Sequence, residues 1–267
     1  MATTAPVFEE RRVSIGRVFQ RALSSIALNP VVVLGLALLI GALPGFIMTY
    51  LLVQTGVGNP AALQNGTTSF GAIMTTAFIS SVIGMVIAAI VQGALTRAVV
   101  SANKGRRASF GECVAAGMRV ILPLIGLSIL FAIGVGIGFI LLIVPGIILL
   151  LMWAVAVPAL VIERPGVFGA FGRSSELTKG ARWKIFGLLL VLIVIYWLLS
   201  VVVGLVGLGM YSPSTATAGL SVANLIGSIL VGTVFNVIWG TIQPSLYLEL
   251  REWKEGGSIE NLEDVFA

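Results

Sequence analysis

Four cations in one short stretch, Arg173, Lys179, Arg182 and Lys184, are the side chains in this sequence best suited to chemistry. Guanidinium and ammonium groups a few positions apart can hold a phosphate ester through charge-assisted hydrogen bonds, which makes these four the candidates for contact with a lipid headgroup. Glu163 and Glu176 stand close by, and either could instead take Arg173 into an ion pair that only holds the segment in place. Little else in the chain can react. It has no histidine, so the usual general base, the usual zinc ligand and the partner of most nucleophilic serines or cysteines are missing. The one cysteine, Cys113, has no second thiol to bridge and no neighbouring metal ligand. No catalytic residue, metal site, cofactor or nucleic-acid partner is expected.

The elements that position these cations belong to a membrane. The 267 residues are 58% hydrophobic and 10% charged, with a mean hydropathy of +1.07, whereas a soluble domain carries roughly 25% charged residues. No charged residue occurs between Arg21 and Arg97, between Arg119 and Glu163, or between Lys184 and Glu249. A helix crossing the hydrocarbon layer needs roughly 20 apolar residues, so each silent stretch accommodates two crossings. The sequence predicts an all-α, polytopic helical bundle with about six transmembrane helices. Its organisation is a 1–30 N-terminal segment, a 31–248 membrane domain and a 249–267 acidic tail. The charged residues ahead of the first apolar run argue against a cleaved signal peptide, so that run is expected to remain in the protein.

In the first stretch the apolar runs Val31–Val53 and Phe70–Val100 flank an uncharged, turn-rich linker, Gln54–Ser69. The third repeats the design with Ile185–Gly207 and Leu220–Tyr247 around Gly209–Gly219. The middle stretch is shorter, and its turn is expected either near Pro145 and Gly146 or around Gly134, Gly136 and Gly138. Every Lys and Arg lies in the N-terminal segment, the Arg97–Arg119 connection, the Arg164–Lys184 connection or the tail. The positive-inside bias then places these segments and both termini in the cytoplasm, with the bundle in a bacterial inner membrane.

At 100° per residue, Ser14 to Leu28 carries Ile15, Val18, Phe19, Ala22 and Ile26 on one face and Arg17, Gln20, Arg21, Ser24 and Ser25 on the other, the pattern of an interfacial helix. The frame returns as Phe110, Cys113, Val114 and Gly117, and more weakly as Val167, Ala170, Phe171 and Ser174. Each copy precedes an apolar hairpin, which suggests three units of amphipathic helix plus two spans. Their cations would form a basic ring. The acidic tail is expected to fold over that ring or to meet a protein partner. Within the spans Gln92, Asn224, Asn236 and Gln243 are expected to hydrogen-bond between helices. Gly134 with Gly138, and Gly84 with Ala88, have the spacing that lets helices approach closely within the chain, or between copies of it.

The run Val144–Phe186, with Pro145, Gly146, Glu163, Ala170, Arg173, Ser174, Leu177, Thr178, Gly180, Trp183 and Phe186, resembles the membrane domain attached to some glycerophosphoryl diester phosphodiesterases and the related YciC-like uncharacterised bacterial membrane proteins. The close of the chain, Tyr247–Phe266, is similar as well. The resemblance implies a six-helix bundle in a phospholipid setting. It does not bring the hydrolase activity, because the metal-binding acidic and histidine residues of that separate barrel are missing here. A non-enzymatic, phospholipid-associated or membrane-organising protein is expected. A transporter or channel for a small neutral or lipidic solute, and a scaffold working through the acidic tail, are the alternatives.

Overall fold

Ser14 leads an extended backbone into α1 (Ile15–Leu28), which buries Val18, Ala22 and Ser25. Ser25 sits inside despite its place on the expected polar face, because its hydroxyl donates to the Arg21 carbonyl at 2.8 Å and needs no water. The computed structural model describes residues 13–54, 69–209 and 222–256; most of the two uncharged linkers, 55–68 and 210–221, and the tail beyond 256 lie outside them. Pro30 opens α2 (Pro30–Gly35) at a position where a missing N–H costs nothing. The helix continues through a wide π-helical stretch, Leu36–Ala42, into α3 (Leu43–Gln54). That stretch ends beside Pro44, whose ring crowds the carbonyl four residues back.

The remaining elements are α4 (Phe70–Asn103), α5 (Phe110–Arg119), α6 (Ile121–Leu141), α7 (Ile143–Met152), α8 (Ala156–Glu163), α9 (Val167–Thr178), α10 (Arg182–Gly209) and α11 (Val222–Glu255). Six segments are long and apolar enough to cross a membrane: Pro30–Met48, Phe70–Asn103, Ile121–Leu141, Ile143–Glu163, Arg182–Leu205 and Ile229–Glu255. The described residues form an all-α multi-pass bundle with no strand. The sixth span does not stop at residue 248; its helix runs on to Glu255 and carries Glu249, Glu252 and Glu255 with it.

Leu142, alone and extended, makes the turn between the third and fourth spans. Pro145 falls in the first turn of α7, so of the two expected turn positions the one near Pro145 and Gly146 is correct in neighbourhood. The glycine alternative is overturned, because Gly134, Gly136 and Gly138 lie within α6. Two of them serve packing instead. A Cβ on Gly134 would stand 2.6 Å from the Trp153 ring, and one on Gly138 would stand 2.9 Å from the Gly146 Cα. Gly84 has no such role among the described residues, since a Cβ there would meet none of them within 4 Å.

The three amphipathic helices do not sit chiefly on the hairpins that follow them, although α1 also touches α2 and α4. α5 packs chiefly on α4, α9 on α8, and α1 on α11, so each seats on the second span of the hairpin before it, and α1 closes the circle onto the last. The core follows this cyclic order. Val18 and Ala22 of α1 join Ile185, Leu188 and Leu246; Cys113 of α5 joins Val33, Leu36 and Leu95; Ala170 of α9 joins Leu124, Leu127 and Leu160.

Candidate functional site

The helix-on-span joints gather the charged residues at one end of the bundle. At the closing joint, the Glu249 side chain is only 3% exposed. It accepts the Ser14 backbone N–H at 3.1 Å and Arg17 Nε at 2.8 Å. One turn further along, Arg21 Nη2 grips both oxygens of Glu252 at 2.9 and 3.0 Å. Lys184, at the start of the fifth span, donates its ammonium to the Val13 carbonyl at 2.8 Å. Asn29 joins the α1–α2 corner to the next connection through a 2.6 Å bond from its amide to the Ala108 carbonyl.

At the joint of α9 with α8, Arg173 forks onto Glu163, Nε to Oε2 at 2.8 Å and Nη2 to Oε1 at 2.9 Å. It also meets Glu255, which Arg251 holds from the other side at 2.8 Å. The Tyr247 hydroxyl donates to Glu163 as well. Hydrogen bonding to Glu163 pushes the Arg173 guanidinium further above its already high range, against the opposing effect of burial. Of the two pairings open to Arg173 in the sequence, the structure therefore takes Glu163, and Glu176 is left aside.

The same joint repairs a break in the fourth span. The backbone turns at Trp153–Val155 between α7 and α8, freeing groups that a bilayer does not leave unpaired. Ser174 Oγ accepts the Val155 N–H at 3.3 Å and donates to the Met152 carbonyl at 2.8 Å, where Thr178 Oγ1 also donates at 3.2 Å. Gln243 of the sixth span supplies a fourth bond, from Nε2 to the Ala154 carbonyl at 3.3 Å. Trp153 itself lies between Phe131 and Phe171, at ring separations of 6.0 and 4.6 Å. Gln243 is thus an interhelical bond as expected. Asn236 instead bonds its own helix at the Gly232 carbonyl, and the buried Gln92 Oε1 has no partner among the described residues.

The four expected headgroup cations are thereby divided. Arg173 is held between two carboxylates, and Lys184 is bound to the backbone of the N-terminal segment. Lys179 is exposed at the end of α9 and lines, with Arg173, Glu176, Lys254 and Glu255, an open cleft of about 320 Å³. Arg182 is half-buried, and its Nε has no acceptor among the described residues. The structure does not bring the four together into one phosphate site.

The third joint, α5 on α4, is built differently. A Cβ on Gly117 would come within 2.5 Å of the Ile90 carbonyl oxygen and one on Gly93 within 2.7 Å of the Gly117 Cα, so the two backbones touch. Cys113 lies fully buried beside them, and burial pushes its thiol up to about 11, where it stays protonated at neutral pH. Beyond this contact the helices part around a cleft of about 550 Å³ lined by Arg97 and Lys104 from the α4 end, Glu112 and Arg119 from α5, and Arg164 after α8. The Glu112 carboxylate is spent on the Ser109 N–H in a capping box. Arg97, Lys104 and Arg164 had no part in the expected headgroup set. Nothing local marks them, since they come from two elements far apart in the sequence, the end of α4 and the turn after α8.

No curated protein and no solved structure matches the chain. The model of the domain of unknown function DUF7847 matches residues 13–250, and the chain belongs to that family.

Proposed function

We propose that this protein is a non-enzymatic membrane module that associates with anionic phospholipid, its charged end at the cytoplasmic leaflet of a bacterial inner membrane and both termini on that side. The observation that carries this reading is the collar of three amphipathic helices, cyclically seated at one end of the spans. Each offers cations or the polar face of an interfacial helix while leaving large apolar side chains uncovered, Leu23 on α1, Met118 on α5 and Phe168 on α9 at 63%, 51% and 79% exposure. Such helices lie at the boundary of headgroup and acyl chain, and each nearby Lys or Arg gains about 1 kcal/mol from anionic lipid. The resemblance to membrane domains found beside glycerophosphodiester hydrolases supports the same setting.

A transporter is the competing reading, favoured by the discontinuous fourth span. Ser174, Thr178 and Gln243 already satisfy the backbone groups freed there, which accounts for the break without a solute. A scaffold acting through the acidic tail would have to rely on Glu260, Glu263 and Asp264, outside the described residues, because Glu249, Glu252 and Glu255 are engaged within the chain.

The test is the composition of lipid that stays with the protein after extraction in native nanodiscs from a membrane of mixed phosphatidylglycerol and phosphatidylethanolamine. Anionic lipid should be enriched over the bulk membrane; a composition equal to the bulk would reject the reading. Orientation is checked separately, with a cysteine placed at Asn59 or Pro213 in a Cys113→Ala background. An impermeant thiol reagent outside intact cells should label it.

A further inference from the structure

The repeating frame aligns Arg21 of α1 and Arg173 of α9 with Ala116 of α5. At the first two joints that arginine crosses to a carboxylate on the span beneath, Glu252 or Glu163. At the third joint the helix offers Ala116, and the span beneath offers Arg97 and Lys104 in place of an acid. The ion pair that closes the other joints is therefore missing, and the space where it would lie is the cleft of about 550 Å³, faced by Arg97, Lys104, Arg119 and Arg164. Four like charges facing one space repel one another unless an anion lies between them. None of the four makes a side-chain hydrogen bond or ion pair to another described residue, and the one acid at the rim, Glu112, is held by its helix cap.

The backbone adds a second sign. Arg164 is the only non-glycine residue with positive φ among those described, at 54°. Glycine would take that left-handed turn without cost, so the guanidinium is kept at the rim against a local preference. The cleft also continues past its charged rim. A neighbouring recess of about 160 Å³ shares Arg119, Val120 and Arg164 and extends to Pro123 and Leu160, each one helical turn into an adjoining span. A cationic rim leading to an apolar recess between two spans has the chemistry of an amphiphile with an anionic head.

We propose that the α4–α5 joint is a phosphate-binding site for the headgroup of an anionic phospholipid, with Arg97, Lys104, Arg119 and Arg164 around the phosphate and the Pro123–Leu160 recess taking the first carbons of an acyl chain. This rests on the lipid-associated reading above and gives it an address. The lipid takes the place of the carboxylate that the other two joints draw from the chain itself.

The experiment is native mass spectrometry of the full chain in neutral detergent, titrated with dioleoylphosphatidylglycerol. Arg119→Gln with Arg164→Gln should weaken lipid retention about tenfold, while Arg106→Gln with Arg107→Gln, which removes equal charge from the nearby exposed connection, should change it by less than about twofold. Arg164→Gly guards against a folding artefact: glycine suits the positive φ, so that variant should remain folded and still lose retention. An equal loss from both pairs, or from neither, overturns the site while leaving the wild-type preference for anionic lipid intact. Wild-type protein that retains no phosphatidylglycerol fails both readings at once. Added inorganic phosphate should not displace the lipid at equimolar concentration; displacement would assign the cleft to a soluble phosphate and overturn the lipid proposal.

Discussion

The closing joint, α1 on α11, and the open joint, α5 on α4, repeat one piece of architecture with opposite electrostatics. In the first, Arg17 and Arg21 meet Glu249 and Glu252, and helix and span are bound by charge. In the second, backbone contact through Gly93 and Gly117 does the binding, and the nearby cations face an open cleft. The lesson is that a cation at a membrane boundary can either fasten two elements or remain available. Which of these it does depends on whether the opposing span carries an acid.

The largest effect should come from breaking the charged joint. Arg17→Ala removes a partner of the nearly buried Glu249 carboxylate and should cost about 3 kcal/mol of stability in a detergent-based unfolding assay, the range for stranding a buried charge. Arg17→Lys should recover part of that loss, since it restores the charge without the fork. If Arg17→Ala is neutral, the joint is not held by charge. Next in size is the glycine contact of the open joint. Gly117→Ala places a methyl group against the Ile90 carbonyl and should cost about 2 kcal/mol through overpacking, and it should also increase alkylation of Cys113 as α5 lifts. The smallest effect belongs to the cleft cations. Arg97→Gln should leave stability within about 0.5 kcal/mol of the parent, because no partner among the described residues is lost. A loss as large as that of Arg17→Ala would show that the two joints are alike after all.

Much of this architecture was legible in the sequence. Three uncharged stretches define three hairpins because hydrocarbon excludes charge, and the amphipathic helices declare themselves through a frame of apolar residues at offsets that share one helix face. The cyclic seating was not legible, since nothing in the order of elements says that α1 packs on the last span and not on the first. The role of Arg173 was half-visible: a pairing with Glu163 could be anticipated, but the approach of Glu255 from the far end of the chain could not. The cleft escaped notice for the same reason. Arg97, Lys104, Arg119 and Arg164 read singly as topology signals, and only the fold shows that no acid among the described residues pairs with them, the nearby Glu112 being held by its helix cap. Ser174 and Thr178, which resemble an ordinary polar edge in the sequence, repair a broken span 22 and 26 residues upstream.

The one-residue turn at Leu142 has a consequence for the opposite face of the bilayer. Residues Ile140 to Val144 at this tip are 64–85% exposed and wholly apolar, so the hairpin ends in grease and not in a polar cap. A fingertip of this kind gains nothing by emerging into water. It gives an approaching protease or antibody no strand of loop to seize, and leaves the depth at which the finger rests to be set by the thickness of the membrane around it.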